Sequence, residues 1–132
     1  MDQQRLQERI AAFLKALGQL ERAARQPKDE FLRDSVIQRF EFTHELAWRM
    51  LKLRLEAEFV LARTPKETLQ EALKAGFIDD GSDWRVLQRM RNLTSHTYDE
   101  SLAETVYAFA VGEGLELERR FAVQARAWQM TD

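Results

Sequence analysis

The sequence has no cysteine. This absence excludes disulfide bonds, cysteine-containing zinc sites and thiol nucleophiles. Glycine and proline are scarce, with 5 and 2 residues in 132, and no strand-turn-strand pattern is present. No apolar run is long enough to span a bilayer, and neither common type of Gly-rich phosphate-binding loop occurs. We therefore expect a helical protein with no membrane partner, no nucleotide site of the kinase or P-loop type, and no cofactor.

The sequence also lacks an excess of positive charge, with 20 Lys and Arg residues against 22 Asp and Glu residues and a net charge of −2. A general nucleic-acid binder is usually basic overall, so any RNA site must be a local basic patch. Residues 1–5 open a charged amphipathic segment that has no apolar core of the signal-peptide type. We expect a cytoplasmic protein with one domain over residues 1–132.

Helical periodicity covers almost the whole chain. The pattern predicts an all-α, antiparallel up-and-down bundle of about four long helices and one short helix. The first helix is predicted to run from Gln3 to about Ala24, and the second from near Asp29 to about Phe59. Thr64 caps the third helix, and Gly76 ends it. The segment Gly81–Asp83 caps the fourth helix, and Asp99 or Ser101 caps the last. Gly112 and Gly114 weaken the last helix and mark a kink or a close helix contact.

The second helix is predicted to be apolar on two faces. One face carries Phe40, Trp48 and Leu51, and the nearly opposite face carries Phe42, Leu46 and Leu53. Such a helix is either central in its bundle or buries its outer face against a partner. We expect a homodimer, and the alternative is that a terminal helix of the same chain covers the second face.

Glu41 and His44 interrupt an apolar face of the second helix. Their Glu-x-x-His spacing is that of di-iron bundles, but such sites need a second copy of the motif. The chain has none, so we predict no metal site. Because a buried polar group without a partner costs about 1–3 kcal/mol, we expect these side chains to bond to each other or to an arginine of a neighbouring helix. The alternative is that Glu41 and His44 support a catalytic site.

Arg85, Arg89 and Arg91 cluster with His96 and Tyr98 near the end of the fourth helix. Histidine is well suited to proton transfer near neutral pH, and arginine binds phosphate through two parallel hydrogen bonds. The histidine could deprotonate a ribose 2′-hydroxyl while an arginine stabilises the charge that develops on phosphorus. The alternative is a surface arginine cluster beside a histidine that the helix dipole favours.

The segment 91–98 has the sequence RNLTSHTY. It resembles the R-x4-6-H signature of the HEPN superfamily, and also the extended R-x4-H-x-Y form of HEPN proteins that are paired with minimal nucleotidyltransferases. The segments 40–52 (FEFTHELAWRMLK) and 64–78 are similar to the family of nucleotidyltransferase substrate-binding proteins. The resemblance covers the chain from about Phe31 to about Phe109.

The resemblance implies a homodimeric helical bundle in which two R-x4-H motifs face each other in a cleft. It implies that Arg91 and His96 are ribonuclease residues, that Asn92 supports them, and that a nucleotidyltransferase antitoxin modifies the Tyr98 hydroxyl with AMP. A second hypothesis for the same family is a non-catalytic subunit that binds substrate for the nucleotidyltransferase. An unrelated structural bundle is a third hypothesis.

One geometric condition follows from the motif. On an ideal helix, Arg91 and His96 would lie about 140° apart around the axis. They can act on one phosphate only if the helix loosens between Thr94 and His96, or if two chains contribute one residue each. No glycine or proline lies there to force a break.

Overall fold

The computed structural model describes residues 3–130, which form six α-helices, one 3₁₀ turn and no strand. The helices are α1 (Gln3–Ala24), α2 (Glu30–Glu56), α3 (Pro65–Ala75), α4 (Gly81–Leu93), α5 (Glu100–Val111) and α6 (Glu113–Ala127), and the 3₁₀ turn (Thr94–His96) follows α4. The predicted all-α helical bundle is confirmed. None of these helices is both long enough and apolar enough to cross a membrane.

Helix α2 is central, because it packs against every other helix. Asp29 caps its start by accepting a hydrogen bond of 2.7 Å from the backbone N–H of Leu32. The helix ends at Glu56, three residues before the predicted end near Phe59. The backbone N–H of Val60 donates to the Leu55 carbonyl at 3.0 Å, and Phe59 adopts a φ of 61°. This is a Schellman-type ending built without the usual glycine.

The second apolar face of α2 is only partly covered by the rest of the chain. Leu46 and Leu53 pack against the core and are partly buried. Phe42 is 50% exposed. The opposite face, with Phe40 and Leu51, is fully buried. The bundle therefore covers part of the second apolar face and leaves one large aromatic side chain in solvent.

The ends of α3 follow the sequence prediction, whereas the cap of α4 does not. Thr64 caps α3 through its hydroxyl, and Gly76 ends it with a φ of 78°. The cap of α4 is Asp80, whose carboxylate accepts a hydrogen bond of 2.9 Å from the backbone N–H of Ser82. The prediction that residues 81–83 supply the cap was wrong, because they already belong to the first turn of the helix.

The predicted last helix is divided in two at Gly112. Asp99 caps α5, with its carboxylate 2.9 Å from the backbone N of Ser101. The cause of the division is close packing next to the break. A Cβ atom on Gly114 would lie 2.6 Å from Cε2 of Phe109 and 2.9 Å from the Phe109 carbonyl oxygen. The aromatic ring thus occupies the space of a side chain at position 114.

We expect Gly114→Ala to destabilise the protein. Overpacking costs about 1–3 kcal/mol, which outweighs the gain of about 1 kcal/mol in helix propensity. Gly18→Ala is the matched control, because no atom lies within 4 Å of a Cβ atom built there, and it should stabilise. Urea unfolding measures the change in unfolding free energy for both variants. Equal changes of the same sign would contradict the packing argument.

Candidate functional site

The α-helix ends at Leu93, and a 3₁₀ turn carries the chain through His96. The chain thus leaves the α-helix before His96, which meets the first of the two alternative conditions for the motif, although neither glycine nor proline lies there. The Thr94 hydroxyl lies 2.6 Å from the Arg91 carbonyl and 2.7 Å from a carboxylate oxygen of Glu41 on α2. A hydroxyl that bonds back to the preceding turn competes with the regular ladder. Arg91 and His96 are consequently not fixed at the angle that an α-helix would impose.

Arg91 is held by a carboxylate of α2. Its Nε donates to Oε2 of Glu45 at 3.0 Å, and the two side chains are 21% and 28% exposed. Partial burial opposes ionisation of Glu45, but the hydrogen bonds from Arg91 and Arg49 and the charge of Arg91 outweigh it and lower the pKa of this carboxyl below its ordinary value. Within residues 3–130, the terminal guanidinium nitrogens of Arg91 make no hydrogen bond, so they can bind an anion.

His96 and Tyr98 lie together beyond the 3₁₀ turn, with ring centroids 6.0 Å apart and planes at 75°. Both side chains are exposed, Tyr98 to 85%. In the described part of the chain, no hydrogen bond joins Arg91 to His96. One chain therefore brings His96 next to Tyr98 but leaves Arg91 paired with α2.

The far side of the segment 91–98 is also anchored to α2. The buried Arg33 binds Glu100 at 2.7 Å and Glu104 at 3.1 Å, both in α5. The hydrogen bond from Arg33 lowers the pKa of Glu100. Because α2 holds the chain before and after the 3₁₀ turn, the segment is a short connection between two fixed points.

The partners predicted for Glu41 and His44 were wrong. Glu41 accepts from Thr94, and His44 places Nδ1 2.8 Å from Oε1 of Glu118 on α6. His44 and Glu118 are both 0% exposed. The sequence contains a signal for a buried Glu118, because this residue lies in the middle of the apolar stripe of α6, three residues before the buried Phe121.

The predicted arginine cluster is divided between two faces of α4. Arg85, Arg89 and Asn92 lie along one face and line a groove between α3 and α4, whereas Arg91 faces Glu45 on α2. The spacing explains the division, since residues four and three apart share a helix face and neighbours two apart do not. Asn92 is exposed and accepts a hydrogen bond of 3.1 Å from Nε2 of Gln88.

Comparison with known proteins identifies the family. Residues 8–118 match the model of the family described as nucleotidyltransferase substrate binding protein like. A Haemophilus influenzae protein named probable ribonuclease HepT is 44% identical over 77 residues, which are 54% of this chain and 53% of that protein. The chain thus spans about half the length of the curated relative that it matches.

Two solved structures have the same fold. A crystal structure of a Thermus thermophilus protein aligns with a TM-score of 0.73 and 30% identity, covering 87% of this chain and 96% of that one. A Haemophilus influenzae protein, described as having the fold of a substrate-binding domain of a nucleotidyltransferase, aligns with a TM-score of 0.66 and 30% identity over 95% and 99% of the two chains. The chain belongs to the HEPN-type family of nucleotidyltransferase substrate-binding proteins.

Proposed function

We propose that this protein is a metal-independent endoribonuclease whose catalytic residues are Arg91 and His96. The observation that carries the proposal is the 3₁₀ turn between them, which releases His96 from the α4 helix. Glu45 holds Arg91 through Nε only, and the terminal nitrogens stay available for a phosphate. The name of the Haemophilus influenzae relative, a probable ribonuclease, supports the same activity.

The proposed reaction is an internal displacement in RNA. His96 removes the proton from a ribose 2′-hydroxyl, and the 2′-oxygen forms a bond to the adjacent phosphorus. The bond from phosphorus to the 5′-oxygen breaks, this oxygen takes up a proton from water, and His96 returns its proton to the solvent. The products are a 2′,3′-cyclic phosphate and a 5′-hydroxyl end. Arg91 stabilises the negative charge that grows on the phosphoryl oxygens in the transition state.

We propose that the active form is a homodimer. Arg91 and His96 are not bonded to each other in one chain, so a second copy would complete the site by placing the two motifs opposite each other. Phe42 is half-exposed and lies one helical turn from Glu45 on α2. This places an apolar side chain beside the motif, where a dimer interface would bury it.

Incubation of the purified protein with a defined RNA in excess EDTA tests the activity. Cleavage to products with cyclic phosphate ends supports the proposal. The second candidate function, a non-catalytic subunit of a nucleotidyltransferase, is favoured by one observation, namely that Glu45 already pairs with Arg91 and offsets its positive charge. Stable co-purification with a nucleotidyltransferase and no cleavage by the free protein would establish this second function instead.

We propose further that a nucleotidyltransferase silences the ribonuclease by modifying Tyr98, as the antitoxin of a cytoplasmic toxin–antitoxin pair. The Tyr98 hydroxyl would attack the α-phosphorus of ATP, and pyrophosphate would leave. The proposal is supported by the 85% exposure of Tyr98 and by its contact with the His96 ring. An AMP group there would put negative charge and bulk beside His96 and exclude the RNA phosphate.

Incubation with the partner and ATP should therefore add one AMP to the wild-type protein and none to Tyr98→Phe. The chain has 2 tyrosines, so Tyr107→Phe is the matched control and should be modified like the wild type. Intact-mass measurement and peptide mapping give the result. A gain of AMP on Tyr98→Phe equal to that on the wild type would contradict this assignment.

A further inference from the structure

A groove of about 480 Å³ lies between α3 and α4, beside the proposed catalytic segment. Leu69, Leu73 and Trp84 provide apolar walls, and Lys66, Arg85 and Arg89 are also part of its lining. Its volume lies within the range of roughly 300–1,000 Å³ that is typical of small-molecule sites. The groove is therefore large enough for one nucleotide.

The charge of the groove is opposite in sign to that of the whole chain. No acidic residue lines it, and within residues 3–130 no carboxylate forms an ion pair with Lys66, Arg85 or Arg89. Other arginines of the bundle, such as Arg33 and Arg119, are paired with glutamates. Three unpaired cations around apolar side chains favour a ligand that is both anionic and partly apolar.

A polar group in the groove has no partner. Gln88 donates from Nε2 to Asn92 at 3.1 Å, but its Oε1 is buried and makes no hydrogen bond. A buried amide group without a partner is unfavourable unless a ligand or water completes its bonding. Because Gln88 lines the groove, rotation of its amide would present this oxygen to the edge of a bound molecule, which would complete its bonding.

We propose that this groove binds the RNA nucleotide that flanks the cleaved phosphate. The inference rests on the proposed ribonuclease function. Arg85, Arg89 and Lys66 would bind the phosphate of this nucleotide, its base would lie against the apolar walls and guanidinium planes, and Gln88 would bond to the base edge. Single-stranded RNA offers a phosphate and an apolar base face together, which an acidic protein surface does not.

Continuity with the catalytic segment supports the same ligand. Asn92 lines the groove and directly follows Arg91 in the sequence. Arg91 lies on another face of α4, but Asn92 belongs to the last turn of that helix, directly before the 3₁₀ turn that carries His96. The groove would fix which phosphate is presented to Arg91 and His96.

The test is binding of a short fluorescent 2′-O-methyl RNA, which cannot be cleaved because the attacking hydroxyl is blocked. We expect the double variant Arg85→Glu and Arg89→Glu to weaken binding by about tenfold or more, because phosphate contacts dominate affinity. Arg25→Glu is the control, since it makes the same charge change at an exposed residue after α1, a helix that packs on neither α3 nor α4. It should alter binding less than about twofold.

Two single variants test the proposal independently if the double variant fails to fold. Lys66→Glu places a negative charge in the first turn of α3, where the helix dipole favours it. It should weaken RNA binding and make the slope of log binding constant against log salt concentration less steep by about 0.7. Gln88→Leu should reduce the differences in affinity between oligonucleotides of different base composition. A uniform loss of affinity for all bases would remove the proposed role of Gln88 in base recognition.

Unchanged RNA binding in Lys66→Glu and in the double variant would overturn the proposal. Loss of binding to a nucleotidyltransferase with unchanged RNA binding would also overturn it and make the groove a protein interface. The ribonuclease function fails separately, if Arg91→Ala and His96→Ala cleave RNA like the wild type. Weak RNA binding by the groove variants would then still support the groove as an RNA site.

Discussion

His96→Ala is expected to slow RNA cleavage by about 10²–10⁴-fold, the range that a positioned general acid or base contributes. Arg91→Ala should slow it by about 10²–10³-fold, because it would remove the donor that we propose to stabilise the developing phosphoryl charge. Both residues lie at the surface end of α4 and its 3₁₀ turn. Both variants should keep the helical content of the wild type, since neither side chain belongs to the buried core.

The measurement is the initial cleavage rate of a fluorophore-labelled RNA in excess EDTA. Ser95→Ala is the matched control, because Ser95 is exposed and lies in the same 3₁₀ turn, and it should retain most of the activity. Arg91→Lys should retain more activity than Arg91→Ala but less than the wild type. Lysine keeps the positive charge but lacks the planar guanidinium group that binds phosphate through two parallel hydrogen bonds. A wild-type rate in His96→Ala would refute the catalytic assignment.

We expect that protonation of Glu45, which would break its ion pair with Arg91, does not contribute to the pH dependence of cleavage. The folded protein lowers the pKa of Glu45 below the ordinary value of a glutamate, which is about 4.3. A carboxyl whose pKa is lowered by folding contributes stability above its unfolded pKa and loses it only as the pH falls through the folded pKa. Between about pH 5 and 8 the pair therefore stays intact.

The largest loss of stability is expected from Glu118→Ala. Glu118 and His44 form a fully buried hydrogen-bonded pair at 2.8 Å between α6 and α2, and removal of one partner leaves the other buried without its bond, which costs about 1–3 kcal/mol, and more for a charged group. The Trp84 ring packs 5.0 Å from the His44 ring, so the unpaired histidine would remain enclosed by apolar side chains. This cost is a large part of the roughly 5–15 kcal/mol that stabilises a typical domain.

Urea unfolding measures this loss as a lower midpoint concentration of urea, with an unchanged slope of the unfolding free energy against urea concentration. Glu116→Ala is the matched control, because Glu116 is exposed on the same helix and pairs only at 3.5 Å with Arg119, and it should change stability by less than about 1 kcal/mol. Glu118→Gln should destabilise less than Glu118→Ala, since an amide still reaches His44 Nδ1. A Glu118→Ala midpoint equal to that of Glu116→Ala would show that the pair contributes nothing.

Local signals in the sequence predicted most helix boundaries well. The Thr64-Pro65 start and Gly76 end of α3 need only neighbouring residues, and both are confirmed. The division at Gly112 was missed as a full break, because its cause is the packing of the Phe109 ring against Gly114. The cap of α4 was also misplaced, because Asp80, Ser82 and Asp83 are all suitable capping residues and only the structure shows that Asp80 is the cap.

By itself, the sequence determined the all-α class, the order of the helices and the short R-x4-H-x-Y segment, because these depend on residues near one another in the chain. Only the tertiary structure decided which side chains meet. Arg91 pairs with Glu45, which lies 46 residues away, and His44 pairs with Glu118, which lies 74 residues away. Such pairs depend on how each helix is rotated and packed against α2, and the pattern within one helix does not specify that rotation relative to its neighbours.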